Sequence, residues 1–94
     1  MKKEKTSTLG EAISLWAESL KLTQQINEKR LIASWGAVVG DYMASKTREI
    51  YIKNHILFVF VDSSIVRNEL MLAKQILISQ LNNGNDIIDD IIFR

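Results

Sequence analysis

The stretch "EIYIKNHILFVFVDSS", residues 49–64, decides the fold. Its first part, "EIYIK" (49–53), alternates polar and apolar side chains, and "ILFVFV" (56–61) is built of β-branched, aromatic and leucine residues. Only Asn54 and His55 separate the two. Two β-rich runs joined by a two-residue, Asn-led turn read as a β-hairpin. "DSS" (62–64) follows at once, and a side-chain oxygen there can accept from the free N–H groups that open a helix. The predicted helix is "IVRNELMLAKQILISQLN" (65–82), with Val66, Leu70, Ala73, Leu77 and Leu81 at helical spacing on its buried stripe.

Beyond that helix, "NGN" (83–85) reads as a turn and "IIDDIIFR" (87–94) as a closing strand. The strand is expected to pair within the hairpin's sheet, because alone it would leave its backbone groups unpaired. On the N-terminal side, Leu9, Ile13, Trp16, Ala17 and Leu20 recur at helical spacing behind Thr8, a suitable N-cap. "KLTQQINEK" (21–29) interrupts that pattern. A second helix is predicted from near Thr23 or Asn27, with Leu31, Trp35, Val38 and Tyr42 as its stripe, Val39 and Met43 beside it, and an end around Lys46 and Thr47. The expected order is α-α-β-β-α-β. This makes one α+β domain over 9–94, its three-stranded sheet carrying helices mainly on one face, behind a flexible basic tail at 1–8.

Composition agrees with a soluble domain: 94 residues, 47% hydrophobic and 24% charged, with no proline. Without cysteine there are no disulfides and no thiolate metal sites. The apolar run "ILFVFV" is far short of the roughly 20 residues that span a bilayer. "MKKEKTSTLG" has no apolar stretch behind its lysines, so no signal peptide is read there, no membrane partner is expected and the cytoplasm is the default location. The formal net charge is +1. Removing Lys2, Lys3, Lys5 and Glu4 from the 12 basic and 11 acidic residues leaves 9 against 10, or −1. Nucleic-acid binding would therefore have to come from a tail or a local patch.

Catalytic constellations are missing from the sequence. His55 is the single histidine and sits in the hairpin turn. Asp86, Asp89 and Asp90 suggest a cation site only superficially, since neighbours in a strand point to opposite faces. There is no phosphate-binding or dinucleotide fingerprint. The expectation is a protein that is not an enzyme and takes no metal or cofactor.

The sheet faces carry more information. Leu57, Val59 and Val61 point one way with Ile50 and Ile52, joined by Ile91 and Phe93. Tyr51, Phe58 and Phe60 point the other way, with Glu49, Lys53, Ile56 and Ile92. A half-buried antiparallel sheet normally alternates apolar-in with polar-out, and this one does not. Three readings stay open: a face covered by the first helix, a protein interface (including a homodimer that buries Phe58 and Phe60), or an aromatic platform for single-stranded nucleic acid with Lys46, Arg48 and Lys53 as phosphate contacts.

In "WGAVVGDYMASKT" (35–47), Trp35 precedes Gly36, and Gly40 follows four residues later. Glycines spaced by four share a helix face and admit a close approach there. Gly40 can also mark a helix end before a short extra turn. Trp35 is then either a core anchor or, with Gly36 and Gly40, the rim of a partner-binding groove. Burial of its ring with the indole N–H bonded internally would favour the first.

The ordered series Trp35, "VVG" (38–40), "KT" (46–47), "ILFVFVDSS" (56–64), "EL" (69–70), "LN" (81–82) and "IIFR" (91–94) resembles the DciA-like family of small bacterial proteins, a domain long without an assigned function. Its short form with "RNEL" is most similar to Bacteroidetes-type members. The resemblance implies a KH-like fold and a role in DNA replication, as a partner and loading factor of the replicative DNA helicase with affinity for DNA. Trp35 matches the family's signature tryptophan; Gly40, Thr47, Glu69, Leu70 and Asn82 match by position and read as structural. Longer members carry an extension beside the folded domain, whereas this sequence ends on "IIFR". The GxxG loop with which KH domains clamp RNA is missing, so KH-style RNA binding does not follow from the fold.

Overall fold

The computed structural model describes residues 9–94, so the basic tail and the Thr8 cap fall outside the described residues. Helix α1 (Leu9–Ala33) is followed by two short helices, α2 (Trp35–Val39) and α3 (Asp41–Ser45). Strands β1 (Thr47–Lys53) and β2 (Ile56–Val61) come next, then helices α4 (Ser64–Leu72) and α5 (Lys74–Asn82), and strand β3 (Asp90–Phe93) closes the fold. The architecture is α+β with a three-stranded mixed sheet in the order β1-β2-β3.

The hairpin forms as the sequence dictates. Asn54 and His55 take φ of 53° and 64°, the left-handed pair whose twist matches the flanking strands. Tyr51 then faces Phe58, and Ile52 faces Leu57. Between Thr47 and Glu49 the register slips by one residue, a bulge at Arg48. That extra residue resets the alternation, so Thr47 shares the inner face with Ile50 and Ile52. β3 runs parallel to β2, with Leu57 against Ile91, because the α4–α5 crossover returns the chain to the same end of the sheet. Ser63 caps α4 by accepting from the Val66 N–H at 3.3 Å.

The stripes of α2, α4 and α5 converge on one sheet face with the C-terminal end of α1, whereas the expected stripe of Ile13, Trp16 and Leu20 on α1 stays exposed. Leu57, Val59, Val61 and Ile91 meet Val66, Leu70, Leu77 and Leu81, and Leu31, Trp35 and Ile88 close the same core. Ile88 is fixed by Asn82, whose side-chain amide donates to the Ile88 carbonyl and accepts from its N–H, both at 2.9 Å. His55 ties the turn to the same loop: Nδ1–H donates to the Ile87 carbonyl at 3.1 Å, and the His55 carbonyl accepts from the Asp89 N–H at 2.7 Å.

Four expectations are corrected. "KLTQQINEK" does not interrupt the first helix, which runs unbroken to Ala33. That segment is polar but holds no helix breaker, and it stays helical with Thr23 Oγ1 donating to the Ser19 carbonyl and Gln24 to Glu28. The helical path bends at Ser34 and breaks at Gly40, with φ 93° and ψ 160°, a region only glycine occupies readily. Tyr42 is thereby turned out of its stripe and is 65% exposed. The predicted helix 65–82 bends at Ala73 into α4 and α5, while its whole stripe stays on the core side. Finally, strand pairing starts only at Asp90, because Ile87–Asp89 are held by Asn82 and His55 instead.

Candidate partner-binding site

Trp35 belongs to the core. It is 4% exposed, and its indole N–H donates to Thr47 Oγ1 at 3.0 Å. The Thr47 hydroxyl in turn donates to the Met43 carbonyl at 3.2 Å, so the ring joins α2, α3 and β1. Gly36 faces Ala44, where an added Cβ would meet the alanine methyl at 3.7 Å, an ordinary contact. Gly40 has open space around it, so its role is conformational. Trp35 and Gly40 thus set the path of the chain, and the tryptophan ring is buried.

The open face of the sheet is different. Tyr51 stacks on Phe58 with ring centroids 5.0 Å apart and planes 17° apart, and on Phe60 at 6.0 Å and 23°. The 5.0 Å separation is close to the spacing between strands, so these rings stand upright on the sheet like adjacent leaves. The guanidinium of Arg48 lies over Phe60, 5.9 Å from its centroid, and also pairs with Asp62 at 3.7 Å. Phe58 and Phe60 are half-buried and Tyr51 is 38% exposed, with Ile92 beside Phe58 on β3. The result is a self-packed apolar ridge, with Lys53 exposed near the turn and Lys46 over the Tyr42 ring at 5.6 Å.

This packing limits what the ridge can bind. The inner ring faces are occupied by neighbouring rings and by Arg48, and β1 is an edge strand. The outer face of Tyr51 is then the ring surface left for stacking, room for one base and not for a run of bases. The sequence put Tyr51, Phe58, Phe60 and Ile92 on one face; it could not show that the rings pair off with one another or that Arg48 meets Asp62.

Among the described residues no three His, Cys, Asp or Glu side chains come together as a metal site. Asp90 instead accepts from the Ile91 N–H at 2.8 Å and pairs with Lys74 at 3.1 Å, which lowers its carboxyl pKa. No described helix is long and apolar enough to cross a membrane. A groove of about 190 Å³ lies between α1 and the loop before β3, lined by Asn27, Arg30, Gln80, Asn83 and Asn85. Its amides and guanidinium offer hydrogen bonds, and the Ser34 hydroxyl on its wall donates to the Leu31 carbonyl at 2.7 Å.

No curated protein and no solved structure matches the chain. A family model does, that of Dna[CI] antecedent, DciA, over residues 8–93. The match takes in every element described above, from α1 to the last residue of β3, and the chain therefore belongs to the DciA family.

Proposed function

We propose that this protein is a non-enzymatic adaptor of DNA replication that binds the replicative DNA helicase through the open face of its sheet. Family membership over residues 8–93 carries this reading, because it supports a helicase-loader-like role. The ridge of Arg48, Phe60, Tyr51 and Phe58 supplies the contact: aromatic and arginine side chains dominate the energetics of protein interfaces. The test is co-elution of the purified chain with the replicative helicase of its own source on a sizing column. A complex containing both proteins is expected, and separate elution at tens of micromolar would contradict the reading.

A second, weaker activity has its own support. Arg48 and Lys46, each beside an aromatic ring, and the exposed Lys53 offer phosphate contacts to single-stranded DNA. With net charge near zero, such binding is expected to be weak and to fall steeply with salt.

A further inference from the structure

The N-terminal half of α1 leaves the body of the domain. Every residue from Gly10 to Ile26 is exposed, and the first fully buried position of the helix is Leu31. Ile13, Leu15, Trp16, Leu20, Leu22 and Ile26 are all large apolar side chains on this stretch. A lone helix of that length is only marginally stable in water, and monomers rarely display so much apolar surface.

The apolar residues fall on two sides. Leu20, Thr23, Gln24 and Asn27 look toward His55, Asp86 and Ile87, so that side faces the body. Leu15, Leu22 and Ile26 lie about a third of a turn round from that side, and Ala12 and Ser19 complete a heptad stripe at 12, 15, 19, 22 and 26. The stripe mixes small residues, at 12 and 19, with large ones at 15, 22 and 26.

We infer that α1 pairs with α1 of a second copy of this chain, antiparallel, along this stripe. With the two-fold axis between residues 20 and 21, Leu15 meets Ile26 of the second copy and Leu22 meets Ser19, large against small or medium. Charge selects the direction. The N-terminal half carries Glu11 and Glu18, and the C-terminal half carries Lys21, Lys29 and Arg30 against the single acid Glu28. Antiparallel pairing sets the acidic half of one helix against the basic half of the other, whereas parallel pairing sets like against like. The body-facing residues lie about a third of a turn away, which leaves the exposed stripe open to a second helix. Four turns of helix bury less than the roughly 800 Å² per partner of a standard interface, so association belongs in the micromolar range.

Sedimentation equilibrium of the full chain from about 5 to 500 µM tests the inference, since mass action must shift the population. The wild type should climb to twice the chain mass, and Leu15→Glu/Leu22→Glu should stay at the single-chain mass with its thermal unfolding intact. Direction is read with single cysteines in a chain that has none. Ser19→Cys, near the axis, should form a disulfide-linked dimer, while Ala12→Cys, about 25 Å from its symmetry mate, should not. A wild type that stays monomeric, a double variant that still dimerises (as through the open sheet face), or equal cross-linking at both positions would overturn the inference.

Discussion

The indole of Trp35 donates to the hydroxyl of Thr47, twelve residues on, and thereby fastens the start of α2 to the first residue of the sheet. The bulge at Arg48 makes this bond available, because it turns Thr47 to the inner face. Trp35→Ala should destabilise the fold by about 3–5 kcal/mol through lost burial and the cavity left behind. Thr47→Val should cost about 1–2 kcal/mol, leaving the buried N–H without an acceptor. Urea denaturation of both variants checks the order. Any loss of partner binding in Trp35→Ala would then be read first as unfolding.

The two glycines beside it should behave oppositely. Gly40→Ala forces an L side chain into a backbone region that resists it and should destabilise by about 1–3 kcal/mol. Gly36 sits inside a helix with room for a methyl, so Gly36→Ala should be neutral or stabilising by up to about 1 kcal/mol. Thermal melts of the pair separate a conformational role from a close-packing one.

Asn82 holds the loop before β3 by both ends of its amide. Asn82→Ala removes two partly buried hydrogen bonds and should cost about 2 kcal/mol. Asn82→Asp should be no better, since a carboxylate would face the Ile88 carbonyl. Hydrogen exchange at the Ile88 amide should quicken in both variants.

Asp90 provides a pH signature. Its carboxyl pKa is lowered, first by the Ile91 N–H and then by Lys74. A lowered folded pKa means stability that is present above the unfolded value, near 3.9, and lost as pH falls through the folded one. Asp90→Asn should flatten that acid limb and leave the curve above about pH 5 parallel to wild type. The pair is solvent-exposed, so the effect should stay below about 1 kcal/mol.

The hairpin, its faces, the Ser63 cap and the α4–α5 stripe were legible because period and turn chemistry are local. The continuity of α1 was not, since "TQQ" lacks apolar residues without lacking helix propensity. The roles of Asn82 and His55 could not be read either: each bonds a backbone group that only the tertiary fold brings near. Among the family-matched positions, Gly40, Thr47, Leu70 and Asn82 now have structural reasons. The Glu69 side chain is exposed, and nothing in the structure explains its match.

Calorimetric titration of the replicative helicase with wild type and with Arg48→Ala/Tyr51→Ala tests the adaptor reading most directly. Both side chains are exposed, so the variant should keep its fold. Loss of an arginine and a tyrosine at the centre of a contact should weaken binding at least about 30-fold, or 2 kcal/mol. Wild-type binding in the micromolar range with that loss is the predicted result. No binding by the wild type would contradict the helicase role, and equal binding by the variant would contradict its placement on the sheet.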